Sequence, residues 1–215
     1  MERIICLAIG YVFGMFQTSY IIGKAHHMDI RQYGSGNAGT TNALRTLGKK
    51  AGAMTLVGDM LKCVIAILVV DAVFKNHYQD ILPLLGMYTA AGCVLGHNFP
   101  FYLGFRGGKG IAASAGMLLA LDWKVFLICV LLFIGIVAIT RYVSLGSIVT
   151  YVGALICFIG FGTAGNYGMD LFHTIEMDVI MGLLTVLAIY RHRANISRLL
   201  NGTENKLGAG KTASR

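Results

Sequence analysis

With 215 residues, 56% of them hydrophobic and only 13% charged, the chain falls well short of the roughly 25% charge content of soluble domains. Its net charge of +8 rests on 18 Lys and Arg against 10 Asp and Glu. The apolar residues come in long blocks parted by short polar loops, which excludes an ordinary soluble or disordered chain and predicts an all-α, polytopic membrane protein of one domain.

Seven transmembrane helices are predicted, over 3–23, 52–74, 80–96, 110–122, 124–140, 144–163 and 175–190. The first lacks the basic n-region and small-residue cleavage site of a signal peptide, so it is read as a span. The fourth, "GIAASAGMLLALD", is short. At about 1.5 Å per residue it covers roughly 20 Å of a hydrocarbon core about 30 Å thick. An odd number of spans puts the termini on opposite sides. Fourteen of the Lys and Arg residues fall on one side and three on the other, with Lys62 inside a span. The positive-inside rule then predicts an outer N-terminus and a cytoplasmic C-terminus. The domain is expected to run over 1–208, with 209–215 a flexible tail. All five cysteines lie inside apolar blocks without CxxC or Cys/His spacing, so they read as packing residues, and neither a disulfide framework nor a metal site is expected.

The polar clusters gather on the predicted cytoplasmic side. The first is "QYGSGNAGTTNALRTLGKK", residues 32 to 50. Gly34, Gly36 and Gly39 allow backbone N–H groups to turn into one concavity. Ser35, Asn37, Thr40 and Thr41 add side-chain donors. "TTNALRTLG" reads as a short helix whose N-terminus faces that concavity, and Arg45 adds a fork of donors suited to phosphate. An ordinary flexible loop is the alternative. The second cluster, "GHNFPFYLGFRGGKGIAAS", sets Gly107, Gly108 and Gly110 around Lys109 at the start of the fourth span. Its alternative is an interfacial turn with a snorkelling lysine. His97 carries little weight alone, and "NFPFYLGF" suits either an interfacial belt or an acyl groove. The third, "YRHRANISRLLNGTENKLG", places His192 and Asn195 three residues apart, on one face if the last helix continues. Ser144, in "RYVSLGS", is a weaker candidate donor. Asp59 and Lys62 lie inside the second span at i, i+3 spacing, which favours a mutual brace over catalysis. "HTIEMD", residues 173 to 178, fits an H-x4-D acyltransferase pattern but falls on the outer side and is rejected as an active site.

Taken together, "YGSGNAGTTNALRTLG", "GHNFPFYLGFRGGKGIA" and "HRANISRLLNGTE" resemble the three signature blocks of the bacterial acyl-phosphate-dependent glycerol-3-phosphate acyltransferases. The resemblance covers nearly the whole chain. It implies a bacterial inner-membrane enzyme, with its site on the cytoplasmic face, that moves a fatty acyl group from acyl phosphate to the 1-hydroxyl of sn-glycerol 3-phosphate. The products are lysophosphatidic acid and inorganic phosphate, in phospholipid biosynthesis. It implies no cofactor and no nucleic acid, membrane lipid as surroundings, and a soluble phosphate acyltransferase as supplier of acyl phosphate. It assigns Ser35, Arg45, Lys109, His192 and Asn195 to the polar site. The Gly36–Gly39 turn, with Asn37 and Thr41, would hold one phosphate, the Gly107–Gly110 turn would serve glycerol 3-phosphate, and Glu204 would be structural. The proton acceptor is left open between His192 and the substrate's own phosphate. A transporter of a phosphorylated metabolite is the competing class, and a non-catalytic lipid-binding protein a third.

Overall fold

A computed structural model of the chain describes residues 1–208; the tail expected to be flexible, 209–215, lies outside the described residues. The described residues form ten α-helices and short 3-10 turns, with no strand among them. In chain order the helices are α1 (Glu2–Gly14), α2 (Thr18–Ala25), α3 (Thr40–Leu47), α4 (Lys49–Phe74), α5 (Leu82–Asn98), α6 (Ile111–Leu121), α7 (Trp123–Thr140), α8 (Val143–Thr163), α9 (Leu171–Arg191) and α10 (Arg193–Leu200).

Among the described residues, five segments are long and apolar enough to cross a membrane: Glu2–Ala25, Lys49–Phe74, Trp123–Thr140, Val143–Thr163 and Leu171–Arg191. The 17-residue α5 and the 11-residue α6 are shorter. The first predicted span is interrupted. Gln17 is extended (φ −100°, ψ 93°) and separates α1 from α2. Its side-chain amide donates to His97 O at 2.9 Å, so a polar tether inside the bundle replaces the helical bond. Average hydropathy over the run is blind to such a one-residue break. At the other end α9 begins four residues earlier than predicted, because Asp170 caps it by accepting from His173 N–H at 2.9 Å.

α1 packs most extensively on α5. The reason is glycine at four-residue spacing on both helices. A Cβ at Gly10 or Gly14 would lie 1.9 or 2.2 Å from the backbone of Thr89 or Cys93. One at Gly92 or Gly96 would come as close to Leu7 or Tyr11. With no hydrophobic driving force between helices in lipid, such close backbone approach supplies the dispersion contacts that hold them together. α4 lies against α5 and α6, α7 against α8, and α8 against α9. The N-terminal ends of α1 and α9 are joined by Arg3 and Glu176, paired at 2.7 Å, with Tyr88 donating to the same carboxylate at 2.6 Å. "HTIEMD" is therefore part of α9, and its glutamate is engaged in a helix-to-helix brace.

Candidate active site

A cavity of about 1640 Å³ opens where the first turn of α6, the loop before α3, and the α9–α10 junction meet. Ser35, Arg45, Lys109, His192 and Asn195 all line it. So do Gly36, Asn37, Gly39, Thr41, Gly107, Gly110, Ser144, Glu204 and Asp59, whereas Gly108 and Lys62 stand behind its wall.

The loop before α3 is shaped by Asn42. Its side-chain oxygen accepts from Ser35 N–H at 2.8 Å, and its amide donates to Ile30 O and Tyr33 O at 3.0 Å. Gly36 takes φ +70°, which glycine adopts without strain. The N–H groups of Gly36 and Gly39 are engaged within the loop, by Tyr33 O and Asn37 O at 3.0 Å. The glycines thus serve the shape of the turn. The donors left for an anion are the N–H groups of Asn37 and Ala38 and those of Thr40 and Thr41 at the start of α3, where a helix leaves its first amides unpaired. Arg45 is exposed and makes no hydrogen bond among the described residues. Arg31, by contrast, is neutralised by Asp29 at 2.7 Å and ties the loop to Leu103 O at 2.9 Å.

The second turn is held from behind. Gly107 N–H donates to Asn98 O at 3.2 Å and Gly108 N–H to His97 O at 3.0 Å. A Cβ at Gly107 would sit 2.0 Å from His97 O, and one at Gly108 2.0 Å from His97 Nε2. On the carbonyl side Arg191 donates to Gly108 O at 2.7 Å while its guanidinium stacks 5.1 Å from the Phe99 ring centre. These amides face α5, so the turn does not present them to a ligand. What it presents is Lys109. The Lys109 ammonium donates to the Asn195 side-chain oxygen. Burial brings its pKa down to about 8, with Arg198, Arg191 and Arg45 pushing the same way and Glu204 opposing them.

The last helix does not continue through the third motif. α9 ends at Arg191, and His192 breaks the chain before α10. His192 and Asn195 are nonetheless both buried, 3% and 8% exposed, and both face the cavity. The His192 Nδ1 lies 2.8 Å from Ala188 O. A carbonyl only accepts, so Nδ1 carries the proton and Nε2 keeps its lone pair. Burial, reinforced by the Lys109 charge, lowers the His192 pKa to about 4, which leaves the ring neutral at pH 7. Glu204 accepts from Ser144 Oγ at 2.9 Å, Asn195 Nδ2 at 2.8 Å and Arg198 Nε at 2.7 Å. Burial alone pushes its carboxyl up, but these three donors outweigh it and hold it below the usual glutamate range. Because the Asn195 amide nitrogen faces Glu204, its oxygen is turned to Lys109. The segment bearing Glu204 is clamped by Leu207 N–H to Arg141 O at 2.7 Å.

Away from the polar mouth the cavity runs between α6, α7 and α8 along Val137, Phe133, Val130 and Phe126 to Ala154. Midway, the Ser114 and Tyr151 hydroxyls satisfy each other. Such a site joins anion donors to an apolar slot suited to an alkyl chain.

Asp59 and Lys62 form an ion pair at 3.0 Å, both nearly fully buried. Sequence reasoning missed Gln17 and Arg191 as supports of the site and gave His97 little weight. Only a polar glutamine inside an apolar run, and an arginine at the very end of one, hinted at the first two.

The family described as glycerol-3-phosphate acyltransferase matches residues 4–202. A glycerol-3-phosphate acyltransferase of Clostridioides difficile (strain 630) is 48% identical over 210 residues, covering 97% of either chain. Glycerol-3-phosphate acyltransferase 2 of Lactobacillus johnsonii is 39% identical over 206 residues, 95% of this chain and 88% of that one. Among solved structures, PlsY (YgiH), an integral membrane glycerol 3-phosphate acyltransferase, matches in its glycerol 3-phosphate form with a TM-score of 0.81 at 35% identity, covering 97% of this chain and 96% of that one. Its lysophosphatidic acid form matches with a TM-score of 0.79 at the same identity and coverage.

Proposed function

The chain belongs to the glycerol-3-phosphate acyltransferase family and is a multi-pass membrane acyltransferase of phospholipid biosynthesis; from that premise we propose that it transfers a fatty acyl group from acyl phosphate to the 1-hydroxyl of sn-glycerol 3-phosphate. Lysophosphatidic acid and inorganic phosphate are the products. The acyl phosphate comes from a separate soluble phosphate acyltransferase. The enzyme is a single domain over 1–208 with seven crossings of the bacterial inner membrane, the short α5 and α6 included, an outer N-terminus and a cytoplasmic site. The excess of Lys and Arg on the side of that site supports this orientation.

The observation that carries the reading is one cavity that joins Arg45, Lys109, His192 and Asn195 to an apolar slot between α6, α7 and α8. Both reactants bear phosphate and one bears an alkyl chain. The amides of Asn37, Ala38, Thr40 and Thr41, with Ser35 and Arg45 beside them, hold one phosphate. Lys109, supported by Asn195, holds the other and meets the charge that grows on the acyl oxygen. In the reaction the 1-hydroxyl oxygen bonds to the acyl carbon, and the bond from that carbon to the phosphate oxygen breaks. Acyl phosphate is already activated, so alignment of the two reactants and electrostatic stabilisation suffice without a covalent enzyme intermediate. His192 Nε2 accepts a hydrogen bond from the attacking hydroxyl and orients it. With a pKa near 4 it is a weaker base than a phosphate monoester, whose second pKa is about 6, so the proton ends on phosphate.

The transporter alternative is set aside, since the family is enzymatic and the polar residues gather at one end of the bundle. The decisive experiment is purified protein in detergent given glycerol 3-phosphate with acyl phosphate, acyl-CoA or acyl carrier protein thioester. Release of one phosphate per lysophosphatidic acid from acyl phosphate alone is expected. Turnover with a thioester donor and none with acyl phosphate would overturn the donor assignment.

A further inference from the structure

Behind the second glycine turn lies a buried polar cluster with no part in the reaction as described. The Lys62 ammonium on α4 donates to Asp59 Oδ1 at 3.0 Å, to Phe16 O at 2.7 Å and to Gly14 O at 3.2 Å. Gly14 and Phe16 flank the break between α1 and α2, where helix-end carbonyls lack an intrahelical partner. The fourth neighbour is His97 Nδ1, at 2.8 Å. An ammonium has three N–H donors for these four neighbours, so one proton is shared; because it has no acceptor, the ring nitrogen facing it is the lone pair, and the ring proton sits on Nε2. The charge of Lys62 thereby sets both the tautomer and the orientation of His97. Asp59 in turn is fixed by Thr18 Oγ1 at 3.0 Å.

The opposite edge of the imidazole is pressed against Gly108, where a Cβ would lie 2.0 Å from Nε2 and 2.7 Å from Ala38 O. Gly108 is thus the point at which the loop before α3 and the loop before α6 touch, and His97 is the wall behind it. Its own carbonyl binds Gly108 N–H at 3.0 Å and Gln17 Nε2 at 2.9 Å. Lys62 does not line the cavity, so it acts through its neighbour and not on substrate.

We infer that Lys62, through His97, is a positioning residue for acyl transfer: it holds the imidazole against Gly108 and so sets the spacing between the two loops that carry the phosphate-binding groups. An apolar side chain of equal size would fill the space without directing the ring. The inference rests on the two-phosphate reading of the cavity.

The test measures glycerol 3-phosphate binding by calorimetry, and kcat/KM with acyl phosphate, on detergent-purified variants. His97→Leu should weaken glycerol 3-phosphate binding about tenfold, the effect of one lost hydrogen bond. It should lower kcat/KM about a hundredfold, as misplacement by an ångström does. His97→Asn, whose side-chain oxygen can accept from Lys62 in place of Nδ1, should recover most of both losses. Asp59→Asn combined with Lys62→Met removes both charges together, so no unpaired ion is left in the bundle. It should elute as a single species, melt near the wild-type temperature and still show the His97→Leu defect. Wild-type binding by His97→Leu or by the double variant would overturn the inference, as would His97→Asn performing no better than His97→Leu. If the double variant does not fold, the two His97 variants decide alone. Wild-type protein that binds glycerol 3-phosphate but does not turn over acyl phosphate would sink the donor assignment, while the binding series would still judge Lys62.

Discussion

Lys109 and Asn195 are hydrogen-bonded although 86 residues separate them. That bond joins the turn before α6 to the junction after α9 and aims an ammonium into the cavity. Lys109→Met keeps the stem and removes the charge, so it should lower kcat/KM by about 10² to 10³, the usual effect of removing one transition-state donor. Asn195→Ala frees the ammonium without removing it and should cost less. Steady-state phosphate release measures both, and equal losses would mean that Asn195 itself binds substrate.

The pH profile has a direction set by Lys109 and His192. Lys109 is effective as the cation, and its pKa is about 8, so kcat/KM should fall as pH rises through 8. A bound phosphate dianion favours the cation, so the same limb in kcat should lie at higher pH. Lys109→Arg should abolish the alkaline limb even where it lowers the rate. His192, with a pKa near 4, is already neutral above pH 5 and should add no limb between pH 5 and 7. Any limb there should follow the phosphate of the substrate and move with substrate analogues of different acidity.

Glu204 answers three donors at once. Glu204→Ala leaves the buried Asn195 amide and Ser144 hydroxyl without their partner, at a cost of about 1–3 kcal/mol each when such a group stays unsatisfied. A lowered melting temperature in detergent is expected, together with a raised KM for glycerol 3-phosphate, because nothing then turns the Asn195 oxygen toward Lys109. Unchanged KM with lowered stability would confine Glu204 to bracing the tail.

Two glycines of one loop should respond differently, one in turnover and the other in stability. At Gly108 a methyl group would overlap the His97 ring, so Gly108→Ala should lose about a hundredfold in kcat/KM through displacement of Lys109. At Gly104 a Cβ meets nothing within 4 Å, and only the φ of +62° resists it. Gly104→Ala should cost about 1 kcal/mol of stability and leave turnover within a few-fold. Kinetics and melting on the two variants check the pair.

The apolar slot sets a length. Ala154 lies eleven residues beyond Val143 on α8, or about 16 Å at 1.5 Å per residue. An extended alkyl chain advances about 1.25 Å per carbon, the projection of a C–C bond near 1.5 Å, so the slot holds roughly thirteen carbons. Ala154→Phe should shift the preferred acyl phosphate to shorter chains, read as the ratio of kcat/KM for 12- and 16-carbon donors. An unchanged ratio would place the alkyl chain elsewhere.

The amino-acid sequence alone determined the apolar blocks, the basic residues in the polar segments between them and the three motifs that carry Arg45, Lys109 and His192. All are local properties, written in consecutive residues, and so is the short helix of "TTNALRTLG", found as α3. The glycines at 10, 14, 92 and 96 were equally readable, but which helices they join was not. Tertiary structure alone decided which amides of the glycine turns face a ligand, since Gly107 and Gly108 are turned away by carbonyls of α5. It alone decided that the chain breaks at Gln17 and at His192, and that Glu204 orients Asn195. The physical reason is the same throughout. Hydropathy and turn propensity follow from neighbours along the chain, whereas the direction of a hydrogen bond in a low-dielectric interior is set by whichever distant group is packed against it.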